Sequence, residues 1–178
     1  MISVILDKKS HNRKRFDCGV DALNNYLCLM ANQQSARDNT RTFVLEDINQ
    51  LNHIIGYYTL TMTSLDLNHL PKPLQKKHKN TQSAGLIARL AVDKRYIKQG
   101  FGEWLLIDSL KKLLSASETV GFPLIIVDAK EGAIEFYKKF GFSNFIDTPD
   151  KLYMTIADIR KSLGGCPRTK KASRRKPF

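Results

Sequence analysis

The chain has 178 residues, 42% hydrophobic and 26% charged, which suits one domain with a sizeable core. No run approaches the ~20 apolar residues of a membrane span, and the N-terminus lacks the basic and apolar regions of a signal peptide. Three unclustered cysteines and four scattered histidines give neither a disulfide framework nor metal-ligand spacing, so a cytoplasmic protein without a bound metal is expected.

Net charge is the more informative number. A balance of +12 and a pI near 9.7 point to a polyanionic partner: nucleic acid, an acidic protein or an anionic cofactor. About half of the excess follows Gly165, where Arg168, Lys170, Lys171, Arg174, Arg175 and Lys176 have no acidic neighbour. Residues 164–178 therefore read as a basic, disordered tail, and residues 1–163 as the folded domain. Within the body a smaller cluster gathers at Lys72, Lys76, Lys77 and Lys79.

In chain order, Ile2, Val4 and Leu6 alternate with polar residues and predict a first strand. His11 to Arg15 is a basic turn. A helix follows with Asp17 as its N-cap and Val20, Leu23, Leu27 and Met30 as its apolar stripe. The polar run 31–40 is expected to end that helix and turn. Thr42–Leu45 and Ile54–Met62 read as strands around a hairpin loop at 47–52, and Gly56 marks a bulge or a close approach. Residues 65–83 hold Pro71, Pro73 and the lysine cluster without a clear period. A stretch of that length is expected to be functional, mobile or partly helical.

Gly85–Val92 alternates with a period of two and predicts a strand. A polar turn with Gly100 and Gly102 comes next, and Trp104, Leu105, Ile107, Leu110, Leu113 and Leu114 then recur at helical spacing to about Ser117. Strand, glycine turn and helix together aim several N–H groups at one place, beside the partial positive charge of a helix N-terminus. That describes a phosphate cradle, or an ordinary strand–helix connection that contains glycine. Pro123–Asp128 is the apolar run of a strand covered on both faces. A short helix at 131–140 ends at Gly141, strands at 142–146 and 152–156 follow, and 158–163 forms a last helical turn. The β–α–β–α portion implies an α/β sheet with helices on its faces.

Two motifs carry a family resemblance. Gln99-Gly100-Phe101-Gly102 sits at the end of a pyrophosphate signature, and Ala133-Ile-Glu-Phe-Tyr-Lys-Lys-Phe-Gly-Phe142 resembles a segment near the C-terminus of the same family. The chain resembles the GNAT (Gcn5-related N-acetyltransferase) family, which binds acetyl-CoA. Phe16-Asp-Cys-Gly, Gly56-Tyr-Tyr-Thr-Leu60 and Arg89-Leu-Ala-Val-Asp93 resemble its toxin branch from bacterial toxin–antitoxin pairs. The match runs from about residue 16 to 156. It departs from the usual pattern at Ile97 and Lys98 in the signature, and at Lys130, where many relatives have Asn.

The resemblance implies a central mixed, mostly antiparallel sheet flanked by helices, the α+β variant of the α/β class. It also implies acetyl-CoA as co-substrate. Leu90, Ala91 and Val92 would pair with the pantetheine arm, and Ile97, Lys98, Gln99, Gly100, Phe101, Gly102 and Glu103 would cradle the pyrophosphate. Tyr137 would act as general acid on the leaving thiolate. The acceptor implied is the α-amino group of an aminoacyl-tRNA, whose acetylation blocks translation. No carboxylate or histidine stands out in the sequence as a general base. From charge and neighbourhood, Arg41, Lys76, Lys77, Lys79, Arg89, Lys138 and Lys139 are expected tRNA contacts. Relatives of this type pair with a small ribbon–helix–helix antitoxin, reach operator DNA through it, and form homodimers. Two other readings stand beside this one. One is a GNAT enzyme that acetylates a protein N-terminus, polyamine or other small amine. The other is a non-catalytic basic module that binds nucleic acid.

Overall fold

The protein, described here by a computed structural model, is placed over residues 1–164 apart from 51 and 131; the basic tail expected from the sequence falls, from 165 onward, outside the described residues. Seven strands form one sheet: β1 Ser3–Ile5, β2 Arg41–Glu46, β3 Ile54–Ser64, β4 Ser83–Val92, β5 Leu124–Asp128, β6 Ser143–Phe145 and β7 Thr148–Thr155. Their spatial order is β1-β2-β3-β4-β5-β7-β6, and every neighbouring pair is antiparallel except β4 with β5. The mixed, mostly antiparallel sheet expected from the resemblance is therefore present.

Helices cover both faces. On one lie α4 (Phe101–Thr119), α5 (Ile134–Lys139) and α6 (Ile156–Leu163). Leu105, Leu106, Leu110 and Leu113 of α4 are buried there with Ile87, Ile125, Val127 and Leu152 of the sheet. Each such leucine contributes about 2 kcal/mol by leaving water. The other face carries two separate apolar clusters. Tyr26, Leu27 and Ala31 pack with Val44, Ile54 and Tyr57, while Leu65 and Leu70 pack with Leu124, Ile126 and Tyr153.

Several local expectations change in the folded chain. The first helical segment is α1 (Asp21–Asn25), a π-helical turn (Tyr26–Met30) and α2 (Ala31–Ala36), so it runs into the polar stretch as far as Ala36 before ending and turning there at 37–39. Helical packing overrides the weak propensity of that run. The stripe also differs: Tyr26, Leu27 and Ala31 are buried, whereas Met30 at the end of the π turn and Val20, the extended N-cap residue before α1, are exposed. Arg13 donates to the Cys28 carbonyl inside this turn at 2.6 Å. Asp17 is not the N-cap. Its carboxylate accepts from the Gly19 N–H and the Asn24 amide, both at 2.9 Å, and pairs with Lys94. The irregular stretch 65–83 is partly helical, with a 3₁₀ turn Leu67–His69 and α3 Lys72–Lys77.

Two backbone irregularities shape the centre of the sheet. In the β3–β4 ladder Thr59 faces Arg89 while Leu60 faces Ile87, so Ala88 is an extra residue. The sequence alternation consequently changes sides at Ala88. Leu90, Val92 and Ile87 join the α4 core, while Ala91 joins Tyr57 and Leu86 joins Leu124 on the opposite face. At Gly56 the expectation of a close approach holds: a Cβ would lie 2.6 Å from Leu105 Cδ1 and 2.8 Å from the Ala91 carbonyl oxygen.

The end of β4 is fixed by Asp93, which is fully buried. Its carboxylate accepts from the Asp17 and Arg95 backbone N–H groups at 3.0 Å and from two Arg95 guanidinium nitrogens at 2.8 Å. Burial pushes its pKa up, but these hydrogen bonds outweigh burial and hold it below the usual carboxylate value.

Two outcomes are expected. Gly56→Ala lowers stability by roughly 2 kcal/mol through overpacking against backbone, read as a lower urea midpoint at unchanged slope. Asp93→Ala costs about 3 kcal/mol, because it leaves buried donors unpaired. Since the folded pKa of Asp93 is depressed, its stabilisation is complete above the ordinary carboxylate value of 3.8 and is lost as pH falls below it. The wild-type and Asp93→Ala unfolding curves should therefore converge in acid, which thermal melts across pH would display.

Candidate active site

β4 and β5 pair only over a short stretch. Gly85, Leu86 and Ile87 face Ile125, Ile126 and Val127, and beyond Ile87 no residue of β4 is paired with β5. The strands part at the Ala88 bulge. The direction of the freed groups follows from the ladder on the other side. The Asp93 N–H donates to the Ile55 carbonyl at 2.8 Å. By alternation the N–H and C=O groups of Ala91 and Arg89 also point toward β3. Those of Leu90 and Val92 point away from it, into the open side. The expectation for Leu90 and Val92 fits this geometry. That for Ala91 does not, because its backbone is turned to β3 and its side chain is buried beside Tyr57.

The parted strands open a cavity of ≈ 410 Å³ bounded by Ile87, Arg89, Leu90, Asp128, Lys130 and Tyr137, with Val20 and Leu23 closing it on the α1 face. A wider basin of ≈ 940 Å³ continues on that face and shares Leu23, Arg89, Asp128 and Lys130 while adding Ala22, Ile134, Pro149 and Asp150. Both fall in the size range of small-molecule sites.

Tyr137 stands on the wall of the inner cavity and is 8% exposed. Its position is set by the end of α5. Gly141 takes φ +90°. The Gly141 N–H then donates to the Lys138 carbonyl at 3.0 Å, and the Phe142 N–H donates to the Tyr137 carbonyl at 3.3 Å, which is a Schellman closure. The same closure brings the Phe142 ring edge-on to Tyr137 at 5.6 Å, with Phe136 on the other side at 5.2 Å. No described residue hydrogen-bonds the phenol, and burial pushes its pKa up to about 12. The phenol stays protonated at neutral pH.

Above the cavity, the turn from β4 to α4 forms an anion cradle. Lys98 and Gly100 both have positive φ, +60° and +82°. A left-handed residue followed by a right-handed one, as Gly100 is followed by Phe101 of α4, turns successive N–H groups to one side. The first internal bond of α4 runs from the Trp104 N–H to the Gly100 carbonyl at 3.0 Å, so the Phe101, Gly102 and Glu103 N–H groups precede the helical ladder. Among the described residues none of the N–H groups from Ile97 to Glu103 has a partner. A Cβ on Gly102 would find Val92 at 3.8 Å and Phe136 at 3.9 Å, ordinary contacts, so this glycine leaves room for a ligand rather than for protein. Ile97 is 54% exposed, and its side chain plays no part in the cradle's geometry. A pyrophosphate fits the N–H cradle, and an extended amide-bearing arm fits the free edge of β4. The observation that supports acetyl-CoA is thus a set of unpaired donors, not a set of charged side chains.

The expected cationic contacts separate. The Arg89 guanidinium lies 3.6 Å over the Tyr26 ring and lines both cavities. Lys138 pairs with Glu135 at 3.2 Å and, with Lys139, is exposed on α5 next to Tyr137. Arg41 is bound to Asp38 at 2.5 Å and lines a different hollow between β2, β3 and α4. Lys76, Lys77 and Lys79 lie on and after α3 and line neither cavity. Sequence reasoning missed Asp128, whose place at the end of an apolar strand looked like a simple strand terminus. It also missed Val20 and Leu23 as cavity wall. Among the described residues no group of three or more His, Cys, Asp or Glu is placed to hold a metal ion, and no helix is long and apolar enough to cross a membrane.

Comparison with known proteins agrees with this geometry. The chain is 26% identical over 169 residues to the probable toxin TacT of Sinorhizobium fredii, covering 89% of this chain and 93% of that protein. It is 27% identical over 151 residues to a tRNA-acetylating toxin of Mycobacterium tuberculosis, covering 84% and 89%. Among solved structures, AtaT complexed with acetyl-methionyl-tRNAfMet superposes with a TM-score of 0.82 at 27% identity, over 91% of this chain and 98% of that one. A tyrosine-to-phenylalanine mutant of the AtaT toxin, bound to acetyl-CoA and the C-terminus of the antitoxin AtaR, gives 0.77 at 25% identity over 92% and 98%. The Acetyltransferase (GNAT) domain matches residues 38–144, which hold the cradle, the parted strands and Tyr137, and the chain belongs to the GNAT acetyltransferase family.

Proposed function

We propose that this protein transfers the acetyl group of acetyl-CoA to the α-amino group of an aminoacyl-tRNA and so stops translation. The observation that carries the reading is the gap between β4 and β5, open on both faces, with the N–H cradle at one side and a wide basin at the other. The cradle and the free N–H and C=O groups of Leu90 and Val92 hold the acetyl donor. Leu90 and Val92 also supply donors for the thioester carbonyl, where negative charge develops. Tyr137 donates its proton to the departing thiolate. Raised to about 12, this phenol is a weak acid, so it donates as the thiolate leaves rather than ahead of it.

The acceptor reading rests on the width and charge of the basin. Arg89 and Lys130 line it, suited to phosphates near a charged tRNA end. An α-amino group, with pKa near 8, is partly neutral at pH 7 and needs little help, unlike a lysine side chain. The names of TacT, the tRNA-acetylating toxin and the AtaT complex support the same acceptor. A small ribbon–helix–helix antitoxin, contact with operator DNA through it, and a homodimer complete the proposal. The AtaT–AtaR complex bound to DNA supports the second of these. Cytoplasmic action follows from a tRNA substrate.

Purified protein, labelled acetyl-CoA and charged tRNA are expected to yield acetylated aminoacyl-tRNA. Tyr137→Phe should cut kcat by about 10²–10⁴ with little change in the KM for acetyl-CoA; an equally active variant overturns the role given to Tyr137. Because the folded pKa of the phenol is raised, its donor form persists well above pH 10, so kcat should show no alkaline loss below that pH. For the cradle, Gly100→Val should weaken acetyl-CoA binding by at least tenfold in calorimetry, since φ +82° strains a β-branched residue. Ile97→Ala should change it less than threefold, and the reverse ranking counts against a backbone cradle.

A further inference from the structure

We infer that Asp128 is the group that receives the acceptor amine, holding its ammonium and taking the proton that frees the nitrogen lone pair. The inference rests on the N-acetyltransferase reading above and assigns the acceptor half of that site.

The argument starts from how the cavities join. Asp128 is the last residue of β5 and lies beyond the three-residue pairing with β4, so its side chain stands where the strands have parted. It alternates with Ile125 and Val127, which are in the α4 core, and so belongs to the opposite face with Leu124 and Ile126. The cradle and Tyr137 serve the α4 face, so Asp128 approaches the same gap from the other side. It is the one carboxylate among the described residues that lines both the inner cavity with Tyr137 and the outer basin. Asp150 lines the basin alone.

Asp128 is also free for a ligand. It is exposed, and among the described residues it has neither an ion pair nor a side-chain hydrogen bond. Asp17 and Asp93 are engaged, by Lys94 and Arg95, while Asp150, which among the described residues also has no ion pair or side-chain hydrogen bond, lines the outer basin and not the inner cavity. The charged groups around Asp128 are Arg89 of β4, Lys130 just past β5, and Asp150 and Lys151 of β7, the last being its register partner. Arg89 is stacked on Tyr26 rather than folded onto Asp128. An ammonium entering the basin therefore meets one unpaired carboxylate at the threshold of the reaction cavity, flanked by two cations suited to the phosphates that follow it.

The proton balance is complete with these groups. Asp128 takes one proton from the ammonium and passes it to water through the open basin. The neutral nitrogen forms the N–C bond as the C–S bond breaks. Tyr137 gives its proton to the sulfur, and its phenolate recovers one from the surplus proton on the new amide nitrogen. The net products are the acetylated amine, the free thiol of coenzyme A and one proton.

Asp128→Asn and Asp150→Asn, compared with wild type on charged tRNA across pH 6–9.5, test this. For Asp128→Asn, kcat/KM for the acceptor should fall by up to about tenfold near pH 7, where about a tenth of an amine of pKa near 8 is already neutral, while the KM for acetyl-CoA and the melting temperature hold. The deficit should shrink above the amine's own pKa of about 8, where no proton has to be removed. Asp150→Asn should show a smaller deficit with no such pH trend. An Asp128→Asn enzyme with wild-type acceptor kinetics overturns the inference. So does a deficit that is constant across pH, or one that is larger in Asp150→Asn. Wild-type protein inactive on every charged tRNA overturns the acceptor reading itself, and the inference with it.

Discussion

The parting of β4 from β5 is the constraint on which the site depends. A central strand normally spends its N–H and C=O groups on both neighbours, and buried ones left unpaired cost free energy. Here β4 keeps β3 along its whole length but loses β5 after Ile87. The extra residue at Ala88 lets the strand bend at that point. The result is a strip of sheet edge inside the protein. Such an edge is a ready template for an extended ligand that pairs as a strand does. The rest of the molecule holds that strip open: α4 packs one face through Gly56 and Leu105, and Asp93 anchors its end.

The chemistry is then divided between the two faces of the gap. On one side the donors are backbone groups, set by the left-handed residues Lys98 and Gly100. Tyr137 is positioned by the left-handed Gly141 at the end of α5. Neither device relies on a side-chain charge, which explains why Ile97 can stand where a polar residue is usual. On the other side the groups are charged side chains: Arg89, Lys130 and Asp128. In the proposed reaction the phenol serves the thiolate and the carboxylate faces the acceptor. Burial separates them, since Tyr137 is nearly covered and Asp128 is exposed.

Electrostatics on a larger scale brings the substrate in. With a net charge of +12, the chain attracts a polyanion before any specific contact forms. Specific placement falls to fewer groups. Arg41 is tied to Asp38 and Lys94 to Asp17, so those cations are partly spent within the protein. Arg89 is held by its stacking on Tyr26, itself carried on the π-helical turn. That stacking keeps the guanidinium on the cleft wall and away from Asp128.

The sequence by itself determined the elements and the family. Alternation in β3 and β4, helical spacing after Gly102 and the Phe136-Tyr137…Gly141-Phe142 segment are local patterns, and local patterns are legible because backbone geometry repeats every two or 3.6 residues. The glycine turn after β4 and the tyrosine of the second motif are legible for the same reason. What only the tertiary structure decided are features that depend on pairing. The bulge at Ala88 sits within the apolar run Leu86-Ile87-Ala88, whose composition is the same on either register, yet it sets Leu90 and Val92 on one side of β4 and Ala91 on the other. The first helix reaches Ala36, partway into its polar run, because packing as well as propensity sets its length. Asp128 read as the end of an apolar strand. It became a candidate for the acceptor only when the fold parted β5 from β4 and placed its carboxylate on the same cavity as Tyr137.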